Sequence, residues 1–363
     1  MIIEKNALNM DKYLLYIHIP FCDSKCHYCS FNSYVDKFEL KAAYMNALHK
    51  QLLHNLEYYN IAIGSLETIF IGGGTPTTVD FSLYEPIFET TAPYLQKDAE
   101  ITSEANPNST TIDWLKGMKS FGVNRISLGV QSFFNDKLKL LGRSHKSIDA
   151  ISAVERAYNS GFKHLSIDLI YSTLLDTPKR IESELEQALK LPIDHLSAYE
   201  LTIEEGTPFE HRPEVRKESI EQAYVIHEKI SNIGWEQYEI SNYGKSFCRH
   251  NIGYWKYKQY LGIGSGAVGC IGNYRLYPHR VIEKYIEDPF FTNKEELKKH
   301  EIIEEKIFLG LRSFVGIDSN ILNNNMKKRA ELLVNEGKLY KKNGQYFNIN
   351  YLLSDEIALF ILG

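Results

Sequence analysis

Six short apolar runs alternate with longer helical patterns along the first 240 residues, and this rhythm restricts the fold more than any other feature of the chain. Leu14–Ile19, Thr68–Ile71, Glu100–Glu104, Arg125–Val130, Leu165–Tyr171 and Leu196–Leu201 read as strands. Glu39–Tyr59, Ile112–Ser120, Ser147–Ser160, Lys179–Lys190 and Lys217–Ile233 read as helices between and after them. Short strands separated by such helices form βαβ units around a parallel sheet. Six units make either a doubly wound sheet or an open or closed (β/α) barrel. Parallel strands buried on both faces are continuously apolar, yet several here end in polar groups, as in Ser103-Glu104-Ala105-Asn106 and Ser166-Ile167-Asp168. The carboxyl ends of strands are where both architectures assemble their sites.

Beyond the sixth unit the pattern changes. Tyr254–Gly272, rich in glycine and aromatics, is expected to be a connecting segment. From about Arg280 charged amphipathic helices dominate, and Lys338–Tyr351 reads as a hairpin around Asn343-Gly344. The expected division is a barrel-like domain over 1–240, a connection over 241–280 and a small α+β domain over 281–363. A length of 363 residues is enough for two domains. The net charge of −5 offers no basic face for nucleic acid. No apolar run is long enough to span a membrane, and the opening MIIEKNALNMDKY is too polar for a secretion signal. The expectation is a soluble cytoplasmic protein. Peripheral membrane contact and a homodimer stay open, the latter through the aromatic segment near Tyr254–Tyr260.

The chain has five cysteines, three of them packed into Cys22-x3-Cys26-x2-Cys29 directly after the first strand. An odd count with a tight cluster fits no disulfide framework and points to metal or redox chemistry. A four-iron cluster normally takes four thiolates. With three at hand and Cys248 and Cys270 far along the chain, one iron is left open to an exogenous ligand. S-adenosylmethionine can fill that position through its amino and carboxylate groups. Spacing alone also leaves a zinc site open, with His18 or His27 as fourth ligand, although structural zinc favours two separated cysteine pairs.

The segments TyrIleHisIleProPheCys (16–22) and LysCysHisTyrCysSerPhe (25–31) resemble the opening of the radical S-adenosylmethionine family containing the oxygen-independent coproporphyrinogen dehydrogenases and their heme-chaperone relatives. The likeness continues through motifs in the same order to about Gly266. It implies an α/β fold, a partial (β/α)6 TIM-type barrel with a small C-terminal α+β domain. It also implies a [4Fe–4S] cluster on Cys22, Cys26 and Cys29 with S-adenosylmethionine bound to it. By that resemblance Gly73, Gly74 and Thr75 meet the methionine amino group, and Arg143 pairs with its carboxylate. Glu104 accepts from the amino group or the ribose, Gln131 and Asp168 contact the ribose, and Tyr16 and Tyr28 lie beside the ligand. Ser172-Thr173-Leu174-Leu175 departs from the family's GlyLeuProGly-type turn, at a place expected near the adenine. Gly264-x-Gly266-x-x-Gly269 matches a dinucleotide-binding pattern but opens no evident helix, so the match carries little.

Within this family the chain reads as a heme chaperone. Phe31 stands where the dehydrogenases carry a fourth cysteine, and only about a dozen residues precede the first strand. His250-Asn251-Ile252-Gly253-Tyr254-Trp255 matches the chaperones' HNxxYW motif. The implied heme site uses His250 as axial ligand, Tyr254 and Trp255 over the macrocycle, and Arg249 and Lys256 at the propionates. Cys248 could compete as a thiolate ligand but reads better as a buried filler. The implied partners are heme and acceptor, including respiratory, hemoproteins. The alternatives are radical decarboxylation of a coproporphyrinogen and a zinc-stabilised scaffold.

Overall fold

The computed structural model describes residues 12–363; the opening segment whose polarity argued against a secretion signal lies, over residues 1–11, outside the described residues. Strands β1 (Tyr13–Ile19), β2 (Leu66–Gly73), β3 (Leu95–Ala105), β4 (Arg125–Gln131), β5 (His164–Tyr171) and β6 (His195–Glu200) pair in parallel, each with its successor. Past β6 the sheet ends in antiparallel β8 (Asn242–Gly244) and β7 (Glu236–Gln237). On its other side β9 (Tyr260–Ile263) runs parallel to β1, followed by antiparallel β10 (Gly269–Ile271), β11 (Tyr274–Pro278) and β12 (Thr292–Glu296). The resulting twelve-stranded order leaves β12 and β7 as edges, so among the described residues the barrel stays open.

The segment expected to be a connection therefore supplies sheet. Leu261 and Ile263 are fully buried beside β1, while a Cβ at Gly262 would run into the Val268 carbonyl. The glycines that look like loop composition are there because β9 and the chain leading into β10 approach too closely for a side chain.

The parallel strands carry a strict two-residue alternation. Ile17 and Ile19 of β1, Ile69 and Ile71 of β2, Ile126 and Leu128 of β4, and Leu165 and Ile167 of β5 are fully buried in the main core beneath the helices. Each contributes roughly 1.5–3 kcal/mol of burial, so this outward set drives the wrapping of helices around the sheet. The alternate residues face inward and are largely polar or aromatic: Tyr16, Phe70, Glu100, Arg125, Ser166 and His195 among them. A seven-residue helix, Arg249–Trp255, covers the inward face near the amino ends of the strands. Glu100 of β3 anchors it by accepting the backbone N–H groups of Arg249 at 3.1 Å and His250 at 3.0 Å, a carboxylate against a helix N-terminus.

A second core gathers Ile307, Leu311, Leu333, Tyr346, Ile357 and Ile361 around a three-stranded sheet of β13 (Ile317–Asp318), β15 (Gln345–Asn348) and β14 (Leu339–Lys342). Asn343 (φ 51°) and Gly344 (φ 78°) turn the expected hairpin in left-handed geometry. This unit meets the barrel where Ile240 N–H donates to the Arg312 carbonyl at 2.9 Å.

The turns after β4 and β5 are tied by a buried ion network. Lys137 Nζ donates to Asp176 at 2.7 Å and Glu184 at 2.8 Å, all three side chains being shut off from solvent. Glu184 also accepts from the Phe133 N–H, and Asp176 from the Thr173 N–H and hydroxyl. Lys137→Met should lower stability in denaturant titrations by about 3–5 kcal/mol, because it strands two buried carboxylates. Arg180→Met, which removes the exposed pair with Asp136 and the guanidinium's stack on Phe134, should cost about 1 kcal/mol.

Candidate functional site

At the carboxyl ends of the strands lies a cavity of about 570 Å³. Cys22, Cys26, Cys29, Tyr28, Gly73, Gly74, Thr75, Glu104, Gln131, Arg143 and Asp168 all line it. Tyr16 does not; it lines an adjoining cavity of about 410 Å³ together with Tyr254.

The cysteine loop is fastened at both ends by backbone. Cys22 N–H donates to Tyr34 O at 3.0 Å, and His27 N–H to Leu141 O at 3.1 Å. Thr75 N–H donates to Phe21 O at 2.7 Å, and its hydroxyl reaches Cys22 Sγ at 3.5 Å. Gly73, at φ 107°, has no room for a Cβ because the His18 ring fills that space. Burial raises the Cys22 and Cys29 thiols above their ordinary range, so each stays protonated until a metal takes the proton's place.

The donors fit a cluster better than a zinc ion. His18 is closed off, with Nδ1 on Tyr16 Oη at 2.9 Å and Nε2 on Asn32 O at 2.8 Å. His27 does not line the cavity the thiols share, its ring packing edge-on against Phe209 at 5.6 Å. Among the described residues no three Cys, His, Asp or Glu side chains converge on a point that one metal ion could occupy. The three thiols instead share one cavity wall, as a cluster needs when each thiolate holds a different iron.

The same cavity holds two carboxyl groups, Glu104 and Asp168, that have no salt bridge among the described residues. Burial, reinforced by the charge of Asp168 and offset by the Gly73 N–H at 3.1 Å, lifts Glu104 to about 8. Burial lifts Asp168 to about 6, against hydrogen bonds from Ser197 and Ser127 and the charge of Arg143. Both are placed to receive a cationic amino group or sugar hydroxyls. Arg143 is aimed by its neighbours: Nη2 donates to Asn106 Oδ1 and Gly129 O, each at 2.8 Å, while Nη1 reaches Cys26 Sγ at 3.2 Å. Gln131 adopts φ 66°, an uncommon backbone for a residue with a side chain and one found at binding sites.

Sequence reading passed over Asn106, Gly129 and Tyr199, which line the same cavity. Asn106 stood inside the quoted Ser103–Asn106 run; Gly129 and Tyr199 could have been found by continuing the inward alternation along β4 and β6. Arg312 brings the C-terminal unit to the cavity wall, paired with Asp355 at 2.9 and 2.8 Å.

Other residues singled out in the sequence lie outside the thiol cavity. Ser172–Leu175 does not line the cavity; Ser172, in left-handed geometry at φ 63°, is buried, and Leu174 N–H donates to Val215 O at 2.7 Å. The departure from the family turn thus lies behind the wall, with Ile170 facing inward instead. His250 is 1% exposed, with Nδ1 on Thr68 Oγ1 at 2.6 Å and Nε2 on Tyr254 Oη at 2.9 Å. Trp255 lines neither cavity, and Arg249 points to Asp98 at 3.2 Å. Cys248 is buried against Glu100 at 3.6 Å, its thiol pushed up to about 12 by burial. The Gly264–Gly269 pattern runs into β10 and opens no helix.

An open (β/α) barrel with a three-thiol cavity at its carboxyl end defines a radical S-adenosylmethionine protein, and the model of the Radical SAM superfamily matches residues 16–191. That family carries a [4Fe–4S] cluster and S-adenosylmethionine. The chain is 36% identical to heme chaperone HemW of Bacillus subtilis (strain 168) over 83% of this chain and 84% of that protein. It is 39% identical to heme chaperone HemW of Escherichia coli (strain K12) over 71% and 70% respectively. The chain belongs to the heme chaperone HemW family. Its fold is shared by the solved structure of coproporphyrinogen III oxidase (HemN) from Escherichia coli, at a TM-score of 0.78 over 97% of this chain and 90% of that one, with 21% identity.

Because folding holds the Glu104 proton up to about 8, from an ordinary 4.5, the unliganded protein loses stability as pH rises through that interval. There the unfolded chain has released the proton and the folded chain has not. Glu104→Gln should flatten this slope, so its thermal midpoint should gain on the wild type between about pH 5 and about pH 8. A difference that stays constant with pH would rule out the buried carboxyl as its source. Gly73→Ala should displace His18 and weaken S-adenosylmethionine binding at least about tenfold in calorimetry.

Proposed function

We propose that the protein is a heme chaperone that binds heme and passes it to acceptor hemoproteins, respiratory ones included. It carries a [4Fe–4S] cluster on Cys22, Cys26 and Cys29, with S-adenosylmethionine at the open iron. One observation carries the reading: the thiol cavity and the cavity of the HNxxYW tyrosine adjoin, sharing Ser30, Phe31, Gly73 and Glu104 as lining residues.

The chain's own residues have separable tasks. Arg143, aimed by Asn106 and Gly129, meets the methionine carboxylate, and Glu104 and Asp168 receive the amino group and ribose hydroxyls. When bound, the cluster supplies a single electron to S-adenosylmethionine. Phe31, 61% exposed between the cavities, offers an apolar face suited to a macrocycle. With phenylalanine at that position, the dehydrogenases' extra thiol is missing, which favours transport of the macrocycle over its chemical conversion.

Anaerobically reconstituted protein should contain about four iron and four sulfide per chain, and Cys22→Ala should abolish both. Ferric heme should titrate to saturation and move to an apo-hemoprotein. Coproporphyrinogen given S-adenosylmethionine and reductant should be recovered unchanged. Stoichiometric conversion of the coproporphyrinogen would replace the chaperone reading with the dehydrogenase one, and zinc in place of iron would remove both.

A further inference from the structure

We infer that the group that binds heme iron is the phenol oxygen of Tyr254, with His250 as its hydrogen-bonding support, and that the heme edge enters the 410 Å³ cavity beside the cluster site. This rests on the heme reading above. Of the three motif residues assigned to heme, only Tyr254 lines either of the two cavities. His250 lies beneath it, its ring against Phe70 at 5.2 Å and both nitrogens occupied. To ligate iron, His250 would have to break its bond to Thr68 or to Tyr254 and leave a packed site. Tyr254 keeps its place and loses its proton, which burial holds well above the ordinary phenol range until iron takes the proton's place.

The surroundings select this oxygen from the other candidates. His18, the one histidine lining this cavity, has both ring nitrogens bonded. Tyr260 Oη accepts from Arg275 at 3.0 Å, and the Tyr260 ring braces Tyr254 edge-on at 4.7 Å. Tyr16 is the remaining phenol; it is tied to His18 Nδ1 at 2.9 Å on β1 and lies outside the HNxxYW helix that Glu100 fixes, and burial raises its phenol as it does that of Tyr254. Glu100 fixes the helix that carries the pair. Phe31 faces the same space, and exposed Arg280 stands at the cavity with no carboxylate within salt-bridge distance among the described residues, available to a propionate. A cavity of this size accepts part of a macrocycle and leaves the rest in solvent, as handing the cargo on requires.

The proton balance closes without a redox step. His250 bonds Tyr254 Oη through Nε2 and Thr68 Oγ1 through Nδ1; in the tautomer protonated at Nδ1, the Tyr254 hydroxyl donates to Nε2 and Nδ1–H donates to Thr68 Oγ1. As the iron–oxygen bond forms, one proton leaves to solvent. His250 remains neutral in its other tautomer, with Nε2–H donating to the phenolate and the Thr68 hydroxyl donating to Nδ1. Burial holds His250 down to about 3, which keeps it neutral throughout. A neutral donor softens the phenolate without displacing it.

Ferric heme titrated into the cluster-loaded chain, read by difference absorbance and resonance Raman, tests the assignment. Wild type should show a phenolate-to-iron charge-transfer band and phenolate vibrations. Tyr254→Phe should lose both and bind at least about tenfold more weakly. Tyr254→His should restore binding with an imidazole-type spectrum. His250→Ala should keep the phenolate band, shifted by loss of the hydrogen bond. A wild-type imidazole spectrum that His250→Ala abolishes, or a band unchanged in Tyr254→Phe, overturns the ligand assignment and leaves heme binding standing. Absence of saturable heme binding by the wild type overturns the chaperone reading itself, and this assignment with it.

Discussion

The structure is organised by a sheet whose two faces obey opposite rules. The outward face is apolar and sealed by helices, which supplies the burial that holds the barrel together. The inward face carries carboxylates, an arginine, histidines and hydroxyls that cannot be left dry without partners. At the amino ends the problem is solved internally. Glu100 takes the N-terminus of the Arg249–Trp255 helix, and His195 lies between Ser166 Oγ and Tyr238 Oη, each at 2.7 Å. At the carboxyl ends it is left unsolved: Glu104 and Asp168 hold their protons unusually tightly because burial outweighs the hydrogen bonds they accept and, at Asp168, the charge of Arg143. One sheet thus provides a closed polar floor and an open polar mouth, and only the mouth is poised for a ligand.

Walls that hold such groups must not yield. The turn carrying Gln131 and the turn after β5 are joined through Lys137, Asp176 and Glu184, below the cavity and out of reach of solvent. A buried ion network is weak evidence of stability, because apolar replacements often do as well. What this one adds is registration: a charged group with two partners accepts one arrangement of two loops. That arrangement keeps Gln131 in its left-handed geometry and buries Ser172 in the same uncommon region.

The parallel βαβ architecture was legible in the sequence because it follows from a local pattern, and the three cysteines and the residues singled out by family resemblance are gathered by the structure on one cavity. Cysteine spacing, a glycine run after a strand and a polar residue at a strand end need no knowledge of distant chain. His250 was not legible in this way. Its motif was plain, but its burial depends on Thr68 and Phe70 from β2, about 180 positions earlier, and on a helix that plugs the barrel. β9 was missed for a different reason. Glycine placed to admit a neighbouring backbone looks the same in sequence as glycine placed to turn a loop, and only the close approach to the Val268 carbonyl separates them. The inward alternation was in view all along, yet treating polar residues as strand ends concealed that they continue down the whole face.

Glu104 and Gly73 face both cavities, so occupancy of one cannot be electrically silent to the other. A cationic amino group in the thiol cavity would draw the proton from Glu104 and place a negative charge on the wall of the neighbouring space. That charge opposes a propionate nearby and opposes ionisation of Tyr16, while Tyr254 is served by its own neutral histidine. Coupling between two sites is reciprocal: whatever S-adenosylmethionine does to heme affinity, heme does equally to S-adenosylmethionine. In a protein that must hold heme and then release it, a shared carboxyl between the two sites is a direct physical means by which one ligand can set the grip on the other.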